Sequence, residues 1–185
     1  MRGYFGIGVE GVSKPMNLGS LMRTAHAFGA SFAFTIAAAY DRAEGRRADT
    51  ANSPASLPLY EFADVAALAL PKDCLLVGVE LAEGAIDLPS FRHPRAAAYV
   101  LGPERGALSP ALVRLCDHVV RIPTRFAINL ALAGAIVMYD RMIALGRFAD
   151  RPVAAGGPAA RLPRPEFGLP LIRRQRRRAA RKPQD

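Results

Sequence analysis

The chain is 185 residues long and 19.8 kDa, room for one globular domain and a tail, with a core large enough to need neither disulfide nor metal. Hydrophobic residues make up 51% and 34 residues are alanine, which excludes a disordered or fibrous chain and leaves a core of small side chains. Residues 1–150 carry 15 basic and 14 acidic side chains, residues 151–185 carry 10 and 2; nearly all of the formal +9 therefore lies in the tail, where it seeks a polyanion, nucleic acid before acidic lipid.

Residues 4–9 form a short buried strand. Asn17 is the expected N-cap of a helix running to about Phe28 and closed by Gly29. Leu18, Leu21, Met22, Ala25 and Phe28 share its apolar face, and Arg23 lies about 160° from that face. Residues 32–39 are a second strand, apolar on both sides. Residues 41–56 are a polar loop, and residues 64–70 a short helix stopped by Pro71. Strands follow at 75–79 and 96–101, a helical turn and a half at 110–116, and a fifth strand at 118–122. The longest helix spans 128–145 and is apolar nearly all round until Asp140, as a core helix is. The alternation of apolar strands and helices predicts a mostly parallel α/β sheet with helices on both faces, over a domain of residues 1–150. A Pro-, Gly- and Arg-rich tail occupies 151–185. No apolar run is long enough to span a bilayer, and the N-terminus has no signal-peptide pattern; the expectation is a soluble, cytoplasmic protein.

Gly6, Gly8 and Gly11 spell the dinucleotide fingerprint, but the helix starts too late and no acidic residue falls between Gly11 and Asp41. Both departures count against dinucleotide binding, and no P-loop is present. Cys74 and Cys116 are expected as buried reduced thiols. His26, His93 and His118 are not at metal-binding spacing, so metal-free chemistry is expected. Three segments remain. Asn17, Gly19, Arg23, Thr24 and Ala25 sit on the first helix; alone, they read as a helix with a solvated arginine. Gly102, Pro103, Glu104 and Gly106 make a tight loop after a strand, at the edge where open α/β sheets bind ligands. Asn129 stands at the mouth of an apolar helix, where a buried amide must cap the helix, bond a loop or touch a ligand.

In order and spacing the three segments resemble the SPOUT superfamily of RNA methyltransferases, specifically the SpoU/TrmH class, over residues 4 to about 145. The family's N-x-G-x-x-x-R-T-A motif is matched by Asn17, Gly19, Arg23, Thr24 and Ala25. Its G-x-E-x-x-G motif is matched by Gly102, Glu104 and, one residue short, Gly106. Its third motif is matched by Ile122, Pro123 and residues 127–133, with Ala127 where the family has serine.

The resemblance implies a C-terminal trefoil knot that binds S-adenosylmethionine without a metal, a homodimer, and methyl transfer to a ribose 2′-hydroxyl of transfer or ribosomal RNA. It puts the cofactor at Gly102, Ile122 and Ile128, with Val79 added because it ends the third strand. It puts catalysis at Arg23, Asn17, Glu104 and Asn129. Arginine is effectively never deprotonated, so Arg23 is expected to stabilise charge and position phosphate. Asn17 orients Arg23 or its loop, Glu104 braces the cofactor loop, and Asn129 holds the active-site loops. The hydroxyl missing at Ala127 leaves a non-catalytic RNA-binding module on the same scaffold as the alternative. In the tail, Arg173, Arg174, Arg176, Arg177, Arg178, Arg181 and Lys182 crowd ten positions. Such a run is expected to be disordered or a frayed helix alone and to clamp RNA phosphates, or else merely to solubilise.

Overall fold

Strands that are apolar on both faces need a layer on each side, and that requirement shapes the molecule. The computed structural model describes residues 3–40, 57–146 and 148; the expected loop 41–56, the tail and the expected boundary at 150 lie outside them. In chain order the elements are β1 (Tyr4–Glu10), α1 (Pro15–Phe28), β2 (Phe32–Ile36), β3 (Leu59–Phe62), β4 (Leu75–Val79), β5 (Ile86–Asp87), a 3-10 turn (Leu88–Ser90), β6 (Ala96–Leu101), α2 (Pro110–Leu115), β7 (His118–Arg121) and α3 (Leu130–Leu145). The seven strands form one all-parallel sheet in the order β3-β2-β1-β6-β4-β7-β5.

The period of two along each strand sorts the core into two layers. Phe5, Ile7 and Val9 of β1, with Val77, Tyr99 and Leu101, face α1 and α3; there they meet Leu18, Leu21, Met22 and Ala25, with Phe28 partly covered beside them. Phe32, Phe34, Ile36, Leu76, Ala98 and Val100 face the other way, onto Leu108 and Leu112. Gly6 and Gly8 belong to this packing: a Cβ at either would collide with the rings of Phe32 and Phe34, which lie across β1. Gly11 turns the chain out of the strand at φ +64, a left-handed conformation that favours glycine. All three fingerprint glycines therefore have structural work.

Several boundaries differ from expectation. Helix α1 starts at Pro15 with Lys14 as its N-cap, not Asn17, because proline at the first helical position needs no N–H partner. Gly29 closes it at φ +77, as expected. Strand β2 stops at Ile36, since Ala37 swings to φ +48. Residues 64–70 are not a helix. The Asp64 carboxylate accepts from the Ala67 N–H at 2.8 Å to close one turn; Val65, Leu68 and Leu70 then pack under the sheet, and that burial outweighs helix propensity. Strands β3 and β5 were not anticipated, β7 ends at Arg121, and α3 begins at Leu130.

The polar end of α3 is buried rather than solvated. Arg141, 3% exposed, donates to the carbonyls of Pro94 and Arg95 and to the Tyr99 hydroxyl at 3.1 Å, and lies 5.1 Å from the Phe5 ring. His93 bridges the Tyr99 hydroxyl (2.6 Å) and the Asp140 carboxylate (2.9 Å). Burial pushes its imidazole below the usual range, against the pull of Asp140. This network fastens α3 to the start of β6. Both cysteines are free and half-buried, and burial pushes the Cys116 thiol up to about 11, away from nucleophilic use. Among the described residues no helix is long and apolar enough to cross a membrane.

Candidate active site

At the carboxyl ends of β4, β6 and β7 the sheet opens into a cavity of about 350 Å³. The four positions expected to hold a cofactor, Val79, Gly102, Ile122 and Ile128, all line it. So do Asn17, Glu104 and Asn129, although Asn17 lies 87 and 112 positions from the other two in sequence. Arg23 does not. It is exposed on α1 and absent from the lining. Ala127 is in the wall, so the missing hydroxyl is missing at the cavity itself. The tail arginines lie outside the described residues.

Glu104 is the hub. Its Oε1 accepts from the Lys14 N–H (3.1 Å) and the Asn17 side-chain amide (3.0 Å); its Oε2 accepts from the Ser13 N–H (3.1 Å) and hydroxyl (3.0 Å). Helix α1 has no acidic residue in its first turn and no side-chain cap of its own. A carboxylate from a distant loop thus supplies both the acceptors and the negative charge that a helix N-terminus favours. Burial alone would push the Glu104 pKa up, but the bonds from Asn17 and Ser13 win and hold it at about 2, against an ordinary 4.5. With four donors on two oxygens, the carboxylate has no acceptor site left for a substrate proton. It braces the loop.

Asn17 passes the connection on. While its amide donates to Glu104, its carbonyl oxygen accepts from the Asn129 amide at 3.1 Å. The Asn129 oxygen accepts from the Ala131 N–H at 2.9 Å and caps α3. Asn129 is thus both cap and loop tie, and the three sequence motifs meet in one chain of hydrogen bonds.

Glu104→Gln should lower stability at neutral pH by about 1.5–3 kcal/mol, the usual range for a charged hydrogen bond lost. A carboxylate whose folded pKa is depressed stabilises the fold above its unfolded pKa and loses that contribution as pH falls toward the folded one. The gap between variant and parent should accordingly close between about 4.5 and about 2. Thermal melts across that window test it; a gap independent of pH would mean the charge is idle.

Among the described residues, three further polar side chains in the wall lie outside the expected site: Lys14, Glu80 and Thr124. The Thr124 hydroxyl lies 2.9 Å from the Phe126 carbonyl and shapes the loop before α3. Glu80 directly follows Val79 at the end of β4, so the strand-edge rule that selected Val79 could have found it. Lys14 carries no such signal.

The sequence profile of the SpoU rRNA Methylase family matches residues 5–139. The chain is 28% identical over 142 residues to the 23S rRNA (guanosine-2′-O-)-methyltransferase RlmB of Bordetella pertussis, which covers 71% of this chain and 56% of that protein. It is 27% identical over 139 residues to the tRNA (guanosine(18)-2′-O)-methyltransferase TARBP1 of Mus musculus, covering 70% of this chain and 9% of that one. The crystal structure of the SpoU methyltransferase AviRb from Streptomyces viridochromogenes in complex with AdoMet has the same fold, with a TM-score of 0.64 at 27% identity, covering 76% of this chain and 60% of that one. The chain therefore spans little more than half the length of its Bordetella relative.

Proposed function

The chain belongs to the SpoU rRNA methylase family, and from that premise we propose that it is a cytoplasmic, S-adenosylmethionine-dependent methyltransferase acting on a ribose 2′-hydroxyl of transfer or ribosomal RNA. The observation that carries this is the Glu104–Asn17–Asn129 chain, which draws all three motifs to one cavity.

The cavity suits the cofactor. Its volume is within the range of small-molecule sites, its wall offers Val79, Leu101, Ile122 and Ile128 to a flat base, and Gly102, without a Cβ, lets the Leu108 backbone and the Glu80 carboxylate pack close to the end of β6. When bound, the cofactor supplies an electrophilic methyl group on a sulfonium centre. The protein's share is to hold the loops with Asn17, Glu104 and Asn129 and to stabilise charge developing on the ribose oxygen with Arg23. The C-terminal segment threads the knot that the resemblance implies, a reading supported by a cavity walled from residues 79–81, 101–106 and 122–133.

A homodimer completes the site, for among the described residues a protomer's own cavity wall includes no arginine. The surface for it is the outer stripe of α3, where Leu132, Ile136 and Tyr139 are 61%, 40% and 49% exposed at helical spacing. The tail serves as a phosphate clamp for a nearly neutral domain. Truncation after Pro152 should flatten the slope of log affinity against log salt by several units, since each phosphate contact contributes roughly 0.7–0.9. It should raise KM for RNA more than it lowers kcat and leave cofactor affinity intact. An unchanged salt slope would leave the tail a solubiliser.

The deciding experiment is transfer of a labelled methyl group to total RNA from cells lacking the gene, with the 2′-O-methylated position mapped. Cofactor binding without transfer would instead favour the non-catalytic RNA-binding module, the reading that Ala127 in the cavity wall supports.

A further inference from the structure

We propose that Glu80 binds the vicinal hydroxyls of the cofactor's ribose, an inference that rests on the S-adenosylmethionine reading above. Among the described residues two carboxylates line the cavity, Glu80 and Glu104, and hydrogen-bond accounting separates them. An ionised carboxylate oxygen accepts about two hydrogen bonds. Both oxygens of Glu104 are filled, each by two donors. Glu80 accepts one on each: the Leu81 N–H reaches Oε1 at 2.9 Å, and the Leu108 N–H reaches Oε2 at 2.8 Å. One acceptor position therefore remains on each oxygen. The group is held from two directions, by the chain leaving β4 and by the loop that follows Gly102. It is a pre-oriented pair of acceptors in the cavity wall, which is what lowers the cost of binding.

Two adjacent acceptors suit two adjacent donors. Adjacent ribose hydroxyls are such a pair, and they can engage both carboxylate oxygens at once. An acidic residue near a strand's carboxyl end does the same for ribose in other open α/β sheets. Charge supports the same orientation. Lys14 stands in the wall beside Asn17 and Glu104, so the cofactor's own carboxylate is drawn there. The ribose then falls toward Glu80, beside Gly102, whose missing Cβ would lie 3.2 Å from Glu80 Oε2.

The test is calorimetric, on the full chain, with S-adenosylhomocysteine, its 2′-deoxy and 3′-deoxy analogues, and 5′-methylthioadenosine, which keeps the ribose and lacks the amino-acid end. The parent protein should lose at least about tenfold in affinity when either hydroxyl is removed. Glu80→Gln should weaken S-adenosylhomocysteine and 5′-methylthioadenosine to a similar degree and no longer distinguish the deoxy analogues. If Glu80→Gln weakens every ligand equally and the hydroxyl preference persists, Glu80 only braces the loop. If 5′-methylthioadenosine alone is unaffected, the carboxylate holds the ammonium instead; either result overturns the proposal. Should the variant fold poorly, the parent still decides: deoxy analogues bound as tightly as S-adenosylhomocysteine mean that no hydroxyl acceptor exists. A parent that binds none of the four ligands refutes the cofactor reading itself, and the assignment of Glu80 falls with it.

Discussion

Arg23→Ala should lower methyl transfer by at least about a hundredfold while leaving the melting temperature nearly unchanged. The stability half follows from position. Arg23 is exposed on α1, across the helix from Leu18, Leu21, Met22 and Ala25, and surface substitutions of that kind usually fall within ~0.5 kcal/mol. The activity half follows from chemistry. A ribose hydroxyl is a poor nucleophile until its developing negative charge is stabilised, and removing one preorganised charge partner typically costs ~10²–10³ in rate. A guanidinium keeps its proton, so it acts as a fixed charge and not as a base. Arg23→Lys should recover part of the loss, because the charge returns without the planar fork. Turnover with saturating RNA, paired with a thermal melt, checks both halves. Near-normal turnover would return Arg23 to a solvated surface charge, and a large fall in melting temperature would make it structural.

What could be read from the chain divides by the range of the interaction. Strands β4 and β6 stand at the expected residues because a double-sided apolar run is a local signal. The edge strand β3 carries no such run: Leu59 and Phe62 are half-covered, Tyr60 and Glu61 exposed, and its partner β2 is far away in sequence. The alanine- and leucine-rich segment after it looks helical locally, yet tertiary burial of Val65, Leu68 and Leu70 overrides that propensity. The site divides the same way. Asn17, Glu104 and Asn129 were legible as motif residues. Their union in one hydrogen-bonded chain was not, since it depends on the fold bringing distant loops together. Asn17 illustrates the cost of local reasoning. Its side chain is a good cap in isolation, but Pro15 starts the helix two residues earlier and frees the amide to join two loops. Glu80 directly follows Val79 in sequence with no motif of its own, and only the count of its hydrogen bonds distinguishes it.

Gly102→Val should abolish S-adenosylmethionine binding in a protein that stays folded. The close approach is specific: a Cβ at Gly102 would lie 3.1 Å from the Leu108 nitrogen and 3.2 Å from Glu80 Oε2. Those two atoms are themselves joined at 2.8 Å, so the new carbon bears on the hydrogen bond that pins the loop to β4. Alanine's single carbon asks the loop to give by a few tenths of an ångström, and Gly102→Ala should weaken binding only partly. Valine adds two branched methyls that no such shift accommodates, and its stiff side chain cannot turn them all away. The loop must then move outward and take the cavity wall with it. Global stability should survive, because Gly102 is half-buried at the carboxyl end of β6 and the new carbon meets the Leu108 backbone and the Glu80 carboxylate, not the buried side chains of either core. Calorimetry with S-adenosylmethionine, beside a melt of each variant, measures the grading from glycine to alanine to valine. Undiminished affinity in a folded Gly102→Val protein would show that this loop does not meet the cofactor.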